Sequence, residues 1–154
     1  MNIQTIIRNI LAFFVGLMVG SFVNMGIILI SNYIIPAPAG ADLTTEEGLI
    51  KAMALMQPRH FIMPFLAHAL GTFSGALLCT ALAVSFRFYM VMLIASLFFV
   101  GGIYMVLLLP SPLWFNLTDL LLAYFPMAYL GYFLLRKKYK SAKFINLSDS
   151  AHNP

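Results

Sequence analysis

One carboxylate, Asp119, and one histidine, His68, stand inside otherwise apolar stretches of this chain. Both side chains can take up and release protons, and an imidazole does so near neutral pH, so proton chemistry is the first thing they suggest. Asp119 lies six residues after Leu113, about 9 Å along a helix, and His68 lies seven residues after Phe61, about 10 Å along its own. Both stretches start from the same side, so the two groups reach similar depth and are plausible partners, though the sequence does not decide whether they pair. Asn24 lies near the middle of the first stretch, and Thr72 follows His68 by one helical turn on the same face. Asn32, Tyr104, Asn116 and Tyr124 complete the buried polar set. Such groups commonly cross-link helices through hydrogen bonds worth about 0.6 kcal/mol on average in lipid. That is the structural reading of Asn24, Asn32, Thr72 and Tyr104. Ionisable groups at membrane depth are rarer and more often functional, which sets His68 and Asp119 apart.

Other chemistries find no support. His60, Pro64 and His68 recur every fourth residue, but Asp119 is the sole third ligand candidate, so no metal site and no cofactor are expected. The chain has no phosphate-cradling glycine loop, no GxSxG, no HExxH and no Cys/His cluster. Cys79 is the single cysteine, which excludes a disulfide within one chain and leaves it as a small core residue. An enzyme is not expected.

The elements that must position these residues follow from composition. Of the 154 residues, 62% are hydrophobic and 9% charged, too few charges to cover a surface facing water. Four apolar runs, residues 10–35, 61–84, 88–109 and 113–135, are each long enough to cross a bilayer. Unbroken runs favour helices over barrel strands, which alternate over about ten residues. The fold class expected is an all-α membrane protein: an antiparallel four-transmembrane-helix bundle with a short amphipathic surface helix after the first span. That surface helix is expected over residues 44–56 of the loop 36–60, opened by a capping box of Thr44 with Glu47 and supported by Glu47 with Lys51 one turn on. Ala37-Pro38-Ala39 imitates a signal-peptidase site, but the preceding apolar run is too long for a signal segment and reads as an uncleaved span. Residues 1–143 are read as one membrane domain and 144–154 as a disordered polar tail.

The net charge of +4 is concentrated at one end, where Arg136, Lys137, Lys138, Lys140 and Lys143 follow the last span. A basic cluster at that place orients the chain and meets anionic headgroups; it is no nucleic-acid surface. With Arg87 in the middle turn and Arg8 near the start, both termini are expected in the cytoplasm. Lys51 and Arg59 dissent. Small residues mark the packing faces: Gly16 with Gly20, Ala67 with Gly71 and Gly75, Gly101 with Gly102, and Gly131. Close approach of such faces drives association where apolar side chains gain nothing by leaving water.

Pro64-Phe65-Leu66-Ala67-His68-Ala69-Leu70-Gly71-Thr72, and Leu113-Trp114-Phe115 followed by Asp119, Ala123, Tyr124 and Pro126, resemble small uncharacterised four-span integral membrane proteins of bacterial genomes. The resemblance covers most of residues 5–135. It implies a bacterial cytoplasmic membrane location and no activity. Small multidrug transporters are similar in size and span number, but they carry an acidic residue in the first span where this chain has Asn24.

The leading functional expectation is an accessory or structural membrane component. Its partners would be the lipid bilayer and other membrane subunits or a second copy. The alternative is a small, proton-linked transporter or channel that uses His68 and Asp119. A polar cavity linking His68 to Asp119 and to one membrane face would favour the alternative; a dry, tightly filled interior would favour the first.

Overall fold

A computed structural model describes residues 2–136, and every regular element among them is helical. The four longest apolar helical segments, Ile3–Ile34, Pro58–Leu82, Arg87–Leu108 and Leu113–Arg136, are each long and apolar enough to span a membrane. The chain is therefore a multi-pass integral membrane protein. The elements are α1 (Ile3–Ile34), α2 (Glu46–Ala52), two short 3₁₀ turns (Met53–Leu55 and Pro58–Phe61), α3 (Ile62–Leu82), α4 (Arg87–Leu108), α5 (Leu113–Leu122) and α6 over residues 125–136. Lys137, Lys138, Lys140 and Lys143, and the tail 144–154, lie outside the described residues.

Helix α1 begins at Ile3, well before the apolar run does. Asn2 supplies the cap, its Oδ1 accepting the Thr5 amide at 2.9 Å. At 32 residues α1 is about 48 Å long, more than a hydrocarbon core of about 30 Å requires. The early start gives Asn9 a task that the hydropathy pattern hides. Asn9 is buried, its Oδ1 accepts the amides of Val84 at 3.0 Å and Ser85 at 3.3 Å, and its Nδ2 donates to the Ser85 hydroxyl at 2.8 Å. One α1 side chain thus satisfies the turn between α3 and α4. Arg87 closes the same turn by donating from Nε to the Ala83 carbonyl at 2.7 Å. Phe86 in that turn has a φ of 53°, the left-handed region that a side chain disfavours. Asn9→Ala is expected to remove the side chain that ties this turn to α1 and to lower stability by about 1 kcal/mol. Unfolding in mixed detergent micelles reads this directly; a parent-like midpoint would remove the capping role.

Helices α1 and α3 make the most extensive helix–helix contact. A Cβ on Gly16 would meet the Gly75 carbonyl at 2.7 Å, and one on Gly20 would meet the Gly71 carbonyl at 2.7 Å. Because 16 faces 75 and 20 faces 71, the two helices run in opposite directions with their backbones touching. Cys79, fully buried, extends this seam, and Ile94 and Phe98 of α4 close over it. Gly131 of α6 packs on the α3 backbone at Phe73 and Leu77. Ala67 is fully buried on the same helix. Among the described residues nothing lies within 4 Å of where a Gly101 Cβ would stand, so Gly101 packs on none of these helices. Its exposure arises because α4 meets α3 along Val91, Ile94 and Ala95 and turns Gly101 outward.

The loop helix differs from expectation in start and length. Asp42 draws in both the amide (2.8 Å) and the hydroxyl (2.6 Å) of Thr44, so Thr44 cannot cap. Thr45 caps instead, accepting the Gly48 amide at 3.0 Å, and the α-helix covers only Glu46–Ala52. The Thr44 and Thr45 hydrogen bonds hold the Asp42 carboxyl down from its ordinary 3.8 to about 2. This depressed group supports the loop fully above pH 3.8 and loses that effect as pH falls to about 2. Glu47 and Lys51 do pair, at 2.7 Å, but both are highly exposed and such a bridge contributes little.

Candidate functional site

His68 and Asp119 meet. Nδ1 of His68 lies 2.9 Å from both carboxylate oxygens of Asp119. Tyr124 donates its hydroxyl to Oδ2 of Asp119 at 3.0 Å. We assign the ring proton to Nδ1, the assignment that lets the carboxylate accept from both neighbours. Asp119 is the deeper member, its side chain 3% exposed against 18% for His68. The Tyr124 ring stacks on the imidazole, with centroids 5.7 Å apart and planes 28° apart.

Local sequence explains how three residues from two spans converge. Asp119 and Tyr124 are five apart, so a regular helix would splay them by about 140°. Pro126 has no amide to offer the Leu122 carbonyl, α5 stops at Leu122, and a turn at residues 123 and 124 precedes α6. The break lets Tyr124 fold back onto Asp119. Gly102 completes the fit: a Cβ there would collide with the Tyr124 hydroxyl. Pro64, by contrast, sits in the first turn of α3, where proline costs no helical hydrogen bond that the preceding 3₁₀ turn does not already forgo. His60 is held away from the cluster, in that 3₁₀ turn.

The imidazole also lines a cavity of about 310 Å³. Asn24 of α1, Gly71 and Thr72 of α3, and Leu97, Phe98, Gly101, Gly102, Tyr104 and Met105 of α4 form the remaining walls, with Tyr124. Nδ1 is committed to Asp119, which leaves Nε2 as the polar atom of the ring available to an occupant. Thr72 donates to the His68 carbonyl one turn back at 2.8 Å, so its hydroxyl proton is spent on the α3 backbone rather than offered to the cavity. Asn24 is half-buried at the wall. Tyr104, expected among the buried polar residues, is instead 59% exposed and stands at the rim. Gly101, the unpacked glycine, borders the same opening. Asp119 does not line the cavity; it supports His68 from behind. The volume is at the lower end of small-molecule sites, and the walls are mostly apolar with few polar groups.

Two buried polar contacts escaped the sequence reading. Asn9 was hidden by Arg8 next to it, which ends the apolar run. The Asp119–Tyr124 bond was hidden by the spacing of five, which only the Pro126 break makes useful.

Of the basic cluster, Arg136 is described: its guanidinium lies 4.2 Å from the Phe133 ring centroid and its Nη1 donates to the Tyr129 hydroxyl at 3.4 Å. Among the described residues no three His, Cys, Asp or Glu side chains are grouped to hold a metal ion.

Fold and site together define the class: an all-helical, multi-pass integral membrane protein with an acid–imidazole–phenol cluster beside an intramembrane cavity. Comparison with protein-family models, curated proteins and solved structures returned no match.

Proposed function

We propose that this protein is a small transporter or channel that moves a solute together with protons, with His68 and Asp119 as the titrating pair. The observation that carries the reading is the two-sided placement of His68, one ring nitrogen on a buried carboxylate and the ring itself on a cavity wall. A proton on Nε2 is offered to the cavity. The carboxylate behind the ring holds it in place. Asn24 and Tyr104 supply further polar groups around the cavity. No covalent chemistry is invoked, and we read the protein as non-enzymatic.

The architecture we propose is an antiparallel four-helix bundle in a bacterial cytoplasmic membrane, with both termini in the cytoplasm. Support comes from the opposed register of α1 and α3, the short connections between later helices, and the placement of Arg8, Arg87 and Arg136 at one set of helix ends. Helix α2 then lies on the outer surface.

The test is proton movement into proteoliposomes under an imposed pH gradient, read with an entrapped pH-sensitive dye. Asp119→Asn and His68→Gln are each expected to reduce the protein-dependent rate to that of empty vesicles, while the variants still purify as folded protein. A rate unchanged by both substitutions would end the proton-coupling idea.

A second reading, an accessory component, rests on a different feature. Phe14, Met18, Phe22, Met25 and Leu29 stand exposed along one side of α1, a face that a partner helix or a second copy could cover as well as lipid. It predicts co-purification with a larger assembly in mild detergent; a lone monomer would count against it.

A further inference from the structure

The His68 cavity has an open side, and that side faces the bilayer. Leu97, Gly101 and Tyr104 border it from one face of α4. Leu97 is 45% exposed and Tyr104 59%, and between them Gly101 carries no side chain to fill the gap. Helix α4, at 22 residues, is about 33 Å long and just crosses a hydrocarbon core of about 30 Å. Gly101 comes seven residues before its end at Leu108, about 10 Å inside the span. An opening at that depth meets hydrocarbon rather than water. Toward the other end α1 and α4 are closed on each other. A Cβ on Gly20 would meet the Phe98 ring at 2.9 Å, and one on Gly16 would meet Ile94 at 3.1 Å. The opening therefore lies beyond Phe98, between Asn24 and Gly101.

Inside, two polar groups are free. Asp119 takes Nδ1 of His68, and Nε2 has no hydrogen-bond partner among the described residues. The buried side-chain nitrogens and oxygens without a partner there are His60 Nε2 and Asn116 Oδ1; His68 Nε2 is not one of them, so it keeps accessible surface. With the ring proton on Nδ1, Nε2 of the neutral ring is a lone pair that accepts. Asn24 has no side-chain hydrogen bond among the described residues either. Its Cβ packs against Gly71, within a helical turn of His68 along α3. An acceptor nitrogen and an amide so placed are the two partners a hydroxyl group needs: its O–H donates to Nε2 and its oxygen accepts from Asn24 Nδ2. No Lys, Arg, Asp or Glu lines the cavity. An anion finds no cation there, and a charged ligand of either sign has hydrocarbon to cross. An apolar cavity of about 150 Å³ already admits benzene, so about 310 Å³ holds one ring with a short chain.

We infer that the His68 cavity binds a small uncharged lipophilic molecule bearing a hydroxyl group, a phenol or an alcohol, which enters from the bilayer between α1 and α4 past Gly101. This deepens the transport reading by naming its solute class, and it rests on that reading of the cavity.

The experiment measures binding to the full chain in phosphatidylcholine nanodiscs, by equilibrium dialysis with empty nanodiscs subtracted for partitioning into lipid. The probes are para-butylphenol, its methyl ether para-butylanisole, which has the same ring and chain without the donor, and para-butylbenzylammonium, which carries a charge. Expected is phenol bound about tenfold more tightly than the ether, and the ammonium more weakly than the phenol. Gly101→Leu is expected to weaken phenol binding about tenfold while the thermal midpoint stays at or above the parent's. Asn24→Ala is expected to narrow the difference between phenol and ether. Equal binding of phenol and ether, tighter binding of the ammonium, binding indifferent to Gly101→Leu, or no binding at all overturns the inference. The vesicle assay keeps the two readings apart. Proton movement that needs Asp119, in a protein that binds no phenol, removes the solute class and leaves transport. Binding as expected, in a protein that moves no protons, keeps the ligand site and removes transport.

Discussion

Asp119→Ala is expected to lower the stability of the protein in detergent by about 3 kcal/mol, whereas Asp119→Asn should cost less than about 1 kcal/mol. The difference follows from what each substitution leaves behind. Alanine removes the acceptor of two donors at once, the His68 Nδ1–H at 2.9 Å and the Tyr124 hydroxyl at 3.0 Å. Tyr124 is 2% exposed and cannot turn to water, and Gly102 and the stacked imidazole hold its ring in place. Each stranded donor costs about 1–3 kcal/mol, which outweighs the roughly 0.6 kcal/mol average for a membrane hydrogen bond between partners that can find substitutes. Asparagine keeps a carbonyl oxygen in the same place and accepts from both, but it cannot bear the charge that would stabilise an imidazolium. A reversible unfolding series in mixed micelles separates the two. If alanine and asparagine destabilise equally, the cluster is held by charge rather than by hydrogen bonding. If neither destabilises, the contacts do not support the fold. Paired with the vesicle assay, the asparagine variant isolates the functional question, because it loses titration while the fold remains.

Helix number and type were legible because lipid leaves so few alternatives. Long unbroken apolar runs must be helical, and the runs ended where Pro36, Pro110 and Pro112 say they must. Depth makes His68 and Asp119 plausible partners, since an ionisable group in hydrocarbon seeks company, but depth alone leaves open whether they pair. What hydropathy could not show was anything set by rotation about a helix axis. Gly101 and Gly102 look identical in sequence; one packs under Tyr124 and the other faces open space. Tyr104 reads as buried because its neighbours are apolar, but apolar neighbours in a membrane mark lipid as readily as core. Asn9 was passed over because Arg8 moved the apparent start of the span, although a long helix can carry its first turns beyond the hydrocarbon. The shift of the loop cap from Thr44 to Thr45 has a local cause, competition from Asp42, which a pattern of hydroxyl and carboxylate spacing does not weigh.

Gly75→Leu should be strongly damaging to the small-residue seam, and Gly101→Leu nearly harmless to it. At Gly75 even a Cβ would lie 2.7 Å from the Gly16 carbonyl and 3.4 Å from the Gly20 Cα. Both are backbone atoms of a helix and cannot rotate aside. A leucine there forces α1 away from α3 and takes with it the reciprocal contact of Gly20 with Gly71, for a loss of about 3 kcal/mol, at the upper end of overpacking costs. At Gly101 there is nothing to displace, and replacing a helical glycine recovers about 0.8 kcal/mol of helix propensity. Gly101→Leu therefore tests the site without testing the fold, because the new side chain projects at the rim of the His68 cavity. Its expected result is a midpoint equal to or above the parent's together with reduced proton movement in vesicles. Should Gly75→Leu unfold like the parent, the close seam between α1 and α3 is wrong, and the wall that Asn24 contributes to the cavity falls with it. Should Gly101→Leu leave the vesicle rate untouched, the cavity is not the route, however stable the helices around it.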